Sequence, residues 1–480
     1  MSAKKYEIVK SESIVHNGRR LYRIRALLRD FNTVTGETVF KGDLGGFIET
    51  ENNLSQEGCC WIFNNAKVYD DARVSEDAKI CGNAEIFGSA EVFGNAEISD
   101  NTQIFDDAHV CGNAKVYGNA QILENAEIHD EARVYGNAKI LSEAKIGDYS
   151  QVYENAIVSG NVWIYGNAKI YGNAKICEKA HIHGNAEICG YAQVLGDAKI
   201  YLDAKIYGRA CVCDNAEVFD FSEVHDDAKI CGKARVYGEA KVCNFAKILD
   251  NAQVYDNAKI QNNAVVRKNA GVFDKAEICD NALVDDNALI CDNARIYGFA
   301  KIFNKAIVYG NAKVYGNAQI FGKAKVYGNA EVYENAEIFD YAFIFGDAKV
   351  FSNAKIFGTT WLYGAAKIGD KLSLNKGKYI FATLNEDETL SEIEPICYKI
   401  SFAVRVIELK LPIEQGYIES LISQFAEYNK LADSFCGTYL SPKEKEILAM
   451  LSQCKEDVKI LKKVVLKIKV KKGEKIKYEF

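Results

Sequence analysis

His181 and His183 flank Ile182, and Cys213 and Cys231 stand 18 residues apart; by type and spacing these four are the side chains best placed to do chemistry. An imidazole titrates near neutral pH and serves as a general base when it reaches a nucleophile and is shielded from water. Residues two apart on a strand point to one side, so both rings would face outward together. The histidines are His16, His109, His129, His181, His183 and His225. Five stand where other copies of a repeating pattern carry Lys, Tyr or Phe, so drift at a surface position accounts for them. His183 and His129 remain the fallback candidates for a catalytic base. A cysteine pair on successive turns of a repeat could bond or bind a metal, but no Cys-x-x-Cys spacing accompanies it. The chain starts Met1-Ser-Ala-Lys-Lys-Tyr with no apolar stretch behind it, so its fifteen cysteines read as reduced thiols of an unexported protein. Most, such as Cys81, Cys111, Cys177 and Cys189, replace Tyr or Phe in the repeat.

Other chemistry is weaker. Gly42, Gly45 and Gly46 could suggest a phosphate loop, yet no Lys-Ser/Thr and no helix follow. Asp and Glu fall at regular corner positions, where short polar side chains favour turns. Glycine-aspartate nonads of the calcium-binding kind are absent, as is an outward Thr-x-Thr array. No metal and no cofactor are expected.

The elements that carry these residues are set by one period. Every sixth residue from Ile62 to Ile368 is Ile or Val, except Leu362, without one insertion or deletion. Four residues after each comes a small residue, nearly always Ala; Thr102, Ser150, Val162, Ser222 and Thr360 are the exceptions. Six is a multiple of two, so each copy presents the same side chains to the same side of a strand. In Ala312-Lys313-Val314-Tyr315, Ala and Val point one way and Lys and Tyr the other, and Gly316-Asn317 makes the bend. A helix would spread the aliphatic track over several faces and be punctuated by Gly-Asn. The period predicts a coil of short parallel strands with a bend at every hexad.

Three regions follow: residues 1–60, a β-rich cap; 61–370, the repeat; and 371–480, an α+β domain. In the first, Leu21–Phe31 and Thr38–Glu49 alternate like strands, with a turn between. Such a cap would cover the open edge of a β-coil. In the last, Lys399–Leu411 reads as a strand and Pro412–Leu431 as an amphipathic helix. Ser441-Pro-Lys-Glu opens a second helix with a capping box. The tail reads as a hairpin with a lysine face: ten Lys against four acids from Lys455 to Phe480, including Lys467, Lys469, Lys471, Lys472, Lys475 and Lys477. That face either protects an edge or docks an acidic partner. The net charge of −7 with mixed signs argues against general nucleic-acid affinity. No run approaches transmembrane length, so a cytoplasmic protein without a membrane partner is expected.

The aliphatic-x-x-x-small pattern resembles the hexapeptide repeat of left-handed parallel β-helices. That resemblance implies three hexads per triangular coil, hence about 17 coils of 18 residues and a length of ~80 Å at the usual strand spacing. The segment Lys41–Phe63, leading into the repeat, resembles uncharacterised bacterial and prophage hexapeptide-repeat proteins that carry an acyltransferase label from the repeat alone. Enzymes of that superfamily use a His base at a cleft between subunits of a trimer and a loop escaping the coil. No loop escapes between Ile62 and Ile368.

One outward surface stands out when positions are sorted by coil. Phe303, Phe321, Phe339 and Phe357 share a column; Val265 and Leu283 stack on one face, and Leu289 and Ile307 on the next, where Phe343 and Trp361 continue. Apolar strips of this kind mark contacts, either with the C-terminal domain folding back or with a subunit or partner. The sequence therefore points to a non-enzymatic scaffold or protein-binding protein, partnered by a protein or by itself as a homo-oligomer. Two alternatives stand beside it. One is an acyltransferase-like trimer with His183 or His129 facing a neighbour. The other is a phage- or prophage-type inhibitor of a host protein whose acidic corners mimic a nucleic-acid backbone, although outward Lys largely cancels them.

Overall fold

Lys313–Val314 shows what one hexad builds. The strand is two residues long, with Val314 wholly buried and Lys313 half-buried. Tyr315 follows, Gly316 turns the corner at φ 69°, and Ala318 returns to the interior with no exposed surface. A side chain on Gly316 would meet the backbone nitrogen of Glu334 on the next coil at 2.8 Å. Many corners are nonetheless not glycine: Asp214, Asp280 and Asp340 sit at φ 61°, 58° and 57°. The left-handed conformation costs such residues roughly 1–2 kcal/mol. Their carboxylates offset part of it by accepting the corner N–H of the next coil, Asp214 from Gly232 at 2.8 Å and Asp280 from Gly298 at 3.0 Å. This bond is the physical reason acids line the corners.

The computed structural model describes residues 4–27, 30–33, 35–375, 378–381, 418–423, 425–426 and 457–462. The protein is a parallel β-solenoid, the fold class that the period predicts. The chain falls into two units, Met1–Asp292 with Ile296–Phe303, and Asn293–Arg295 with Asn304–Phe480.

In the first unit, strands pair in parallel with the strand one coil on, in exact 18-residue steps: Lys67–Val68 with Glu85–Ile86, Arg73–Val74 with Glu91–Val92, Lys79–Ile80 with Glu97–Ile98. These three ladders are the three faces. Inside, Ile and Val stack on Ile and Val, each contributing roughly 1.5–3 kcal/mol by burial. Where Thr102, Ser150 and Ser222 replace Ala, each is fully buried and its hydroxyl donates to the carbonyl three residues back, at 2.7, 2.6 and 2.7 Å. The small track therefore tolerates a polar atom only because the turn supplies an acceptor.

The solenoid's first edge is closed residue by residue. β1 (Tyr6–His16) and β2 (Arg19–Ala26) form an antiparallel hairpin across Asn17-Gly18. β3 (Phe31–Asn32) and β4 (Thr38–Val39) form a small hairpin. β5 (Leu44–Ile48) pairs antiparallel with β2 and parallel with Lys67–Val68, so it joins the cap sheet to one face of the coil. A second face is closed by Asn53, which is fully buried. Its Nδ2 donates to the carbonyls of Asp70 and Ala72, both at 2.9 Å, and its Oδ1 accepts from the nitrogens of Glu49 and Thr50 at 3.1 and 2.8 Å. Lys5, also buried, donates to the carbonyls of Glu57, Gly58 and Cys60. Carbonyls that would be left bare at an open end are thus satisfied by two side chains.

In the second unit the ladders continue their own 18-residue steps, Lys313–Val314 to Glu331–Val332 and Gln319–Ile320 to Glu337–Ile338, and end with Lys378–Phe381 against Trp361–Gly364. Residues 418–423, 425–426 and 457–462 are helical, and Ile418, Leu421, Phe425, Val458 and Leu461 are buried. The first stretch lies inside the helix expected over Pro412–Leu431. The strand expected at Lys399–Leu411, the helix start at Ser441 and the terminal hairpin lie outside the described residues.

Candidate interaction surface

Each hexad shows two side chains outward, one before and one after the buried aliphatic, and successive coils stack them into columns. The columns explain most of the aromatic content. Phe321, Phe339 and Phe357 stack face to face with centroids 4.8 Å apart and rings within 3° of parallel. Tyr117, Tyr135, Tyr153 and Tyr171 do the same in the first unit. Phe303, in the first unit, is half-buried at the same kind of position. Ring faces that look exposed in the sequence are covered by the next ring along.

The columns before the aliphatic are less regular. Val265 and Leu283 are register neighbours with Lys247 before them and Lys301 after, a two-residue apolar strip. Leu289 stands opposite Gly271, whose missing side chain leaves its space to Leu289. In the second unit Ile307 pairs with Lys325, Lys325 with Phe343, and Phe343 with Trp361. A lysine therefore stands between Ile307 and the Phe343–Trp361 pair. Its nitrogen lies 5.4 Å from the centre of the Phe343 ring, and burial pushes its ammonium down to about 8.

Beside Lys325 runs a column that the sequence does not single out. Tyr309, Tyr327, Phe345 and Tyr363 occupy outward positions after the aliphatic, yet their exposures are 7%, 0%, 0% and 2%. They stack at 4.7 to 5.0 Å. Stacking covers ring faces but not outer edges, and half-buried columns elsewhere show the difference. An outward column buried to this degree is a covered surface. The described residues of the second unit that lie outside the solenoid bury apolar side chains of their own, Ile418, Leu421, Phe425, Val458 and Leu461.

The two fallback histidines sit apart. His183 is exposed and stacked on Tyr201 at 5.1 Å; burial, then His181, lowers its pKa below the usual imidazole range. His129 shares a 2.7 Å contact between Nδ1 and an Asp130 oxygen, and it leans across the gap over Gly147 toward Tyr165. His181 lines an open groove of about 760 Å³ with Lys199, Glu217 and Arg235. There Arg235 pairs with Glu217 at 3.0 Å. Histidine, nucleophile and shielded cavity do not converge at any of the three among the described residues.

Cys213 and Cys231 are joined in a disulfide, which departs from the expectation of reduced thiols throughout, the 18-residue step having set the two side by side; ten other described cysteines are free thiols. Burial raises the thiol pKa of Cys81, Cys111, Cys211 and Cys243, which disfavours thiolate chemistry there. Two further sets bring metal-ligating atoms within 4.8 Å of one another, His225 with Asp226 and Cys243, and Asp274 with Cys291 and Asp292. Asp226 already accepts from the Asn244 backbone at 3.1 Å and side chain at 2.9 Å. Lys467, Lys469, Lys471, Lys472, Lys475 and Lys477 lie outside the described residues.

Fold and surface together define a β-solenoid repeat protein. A family model described as the YdcK beta solenoid repeat matches residues 150–166 and 252–268. No curated protein matches the chain. No helix among the described residues is long and apolar enough to cross a membrane.

Proposed function

We propose that this is a non-enzymatic scaffold of the hexapeptide-repeat kind, which binds a protein partner or further copies of itself through outward columns of a rigid solenoid. The observation that carries the reading is the unbroken register from Ile62 to Ile368: inward side chains fill the core, outward ones stack, and corners hydrogen-bond to the next coil. Such a chain spends its residues on evenly spaced surface. A catalytic site needs a base near a nucleophile and shielded from water; at His129, His181 and His183 these do not converge, and the thiol beside His225, Cys243, has its pKa raised by burial.

The test is acyl transfer. Purified full-length protein is incubated with acetyl-CoA and a panel of amine and hydroxyl acceptors, and free thiol release is followed, beside a His129→Ala/His183→Ala variant. The scaffold reading predicts equal, background release from both. Release that the variant loses would overturn it.

A further inference from the structure

At one corner of the first unit the asparagine row gives way after Asn173 to Tyr191, Arg209, Asp227 and Phe245, and resumes at Asn263 and Asn281 before Phe299. Asn83, Asn101, Asn119, Asn137 and Asn155 follow one another there on successive coils, each amide donating to the next at 2.9 to 3.2 Å. Further along the same corner stand Tyr191, Phe245 and Phe299, each three coils after the last. They are 63%, 56% and 59% exposed. Unlike the ring columns, these aromatics neither enter the core nor stack on one another.

Between Phe245 and Phe299 lies an open groove of about 550 Å³, with Asn262, Asn263, Asp280 and Asn281 along it. Asn262 and Asp280 are engaged with each other at 3.0 Å. Asn263 and Asn281 are exposed and continue the asparagine row, but among the described residues their amides make no side-chain hydrogen bond. Two free amides thus lie between two exposed rings. The rings are three strand spacings apart, about 14 Å.

We propose that this corner is a binding site for a neutral oligosaccharide. An aromatic face packs against the C–H face of a pyranose ring, and an amide supplies both a donor and an acceptor to neighbouring hydroxyls. Polar groups in small number beside aromatic walls are the usual make-up of a small-ligand site. The groove has no lysine or arginine, so it offers nothing to a phosphate or sulfate group. Its one carboxylate is already held by Asn262 and by the Gly298 nitrogen. Apolar surface is confined to the two ends, which suits separate sugar rings better than a continuous apolar peptide face.

The experiment is calorimetric titration of the full chain with cellohexaose, chitohexaose and maltohexaose, repeated with Phe245→Ala, Phe299→Ala and Phe245→Trp. At least one sugar binds saturably with a Kd below about 1 mM, each alanine weakens it at least tenfold, and tryptophan retains it. Both phenylalanines are exposed, so the variants keep the parent's unfolding curve. Three results overturn the proposal: no binding of any of the three sugars, binding that both alanine variants keep, or a sedimentation change in those variants that marks the corner as a contact between copies.

Discussion

Lys325 lies one coil before Phe343 in the same outward column, its nitrogen 5.4 Å from the ring centre, in a setting that drives the ammonium down to about 8. The ring face favours the cation, but burial dominates. An unfolded lysine titrates near 10.4. Between about pH 8 and pH 10 the unfolded chain therefore binds the extra proton, and this group's contribution to stability rises with pH. Below about pH 8 its destabilising effect is fully present. Lys325→Met should melt higher than the parent at pH 7, and that lead should shrink by about pH 10. Paired thermal melts at the two pH values check it; a lead that stays constant would mean that Lys325 remains charged throughout.

Asn53 makes the closing bonds of one solenoid face, two as donor and two as acceptor. Asn53→Ala leaves those backbone groups without partners, a loss of about 3 kcal/mol. Asn53→Asp keeps the acceptors and loses the donors, so it should fall between. Hydrogen exchange at the Glu49 and Thr50 amides, which donate to Asn53, reads the acceptor half of this role and thermal unfolding the whole; protection and melting of the alanine variant equal to the parent's would remove Asn53 from it.

Leu202 turns a corner at φ 59° with 45% of its surface exposed. It has the strain of a left-handed residue without a carboxylate to offset it. Leu202→Gly should stabilise the first unit by about 1 kcal/mol, and Leu202→Val should destabilise it. Denaturant unfolding of the three proteins gives the order; a glycine variant less stable than the parent would show that the leucine side chain contributes more than the strain costs.

The repeat was legible because its physics is local. Ile and Val every six residues can share a core only in a coil of strands, and the structure puts them there. The end-closing residues were not legible. Asn53 and Lys5 occur once each, outside the period, and their role depends on carbonyls far along the chain. The covered column was hidden for the opposite reason: Tyr309 and Tyr327 look in sequence like Tyr117 and Tyr135, and only burial separates them. Cys213 and Cys231 lay between these cases, since the 18-residue step placed them side by side but could not say whether they bond. The groove aromatics Phe245 and Phe299 were readable in principle, as Phe where the row carries Asn, but only once the corner was known to point outward.

The central claim is that the solenoid binds and does not catalyse. Its most direct test is capture from native extract on the full chain, followed by reconstitution of each captured protein from purified components and sedimentation equilibrium. A complex of fixed stoichiometry, with a protein or with further copies of this chain, is the predicted result. A chain that stays monomeric, with no captured protein re-forming a complex, would contradict the account.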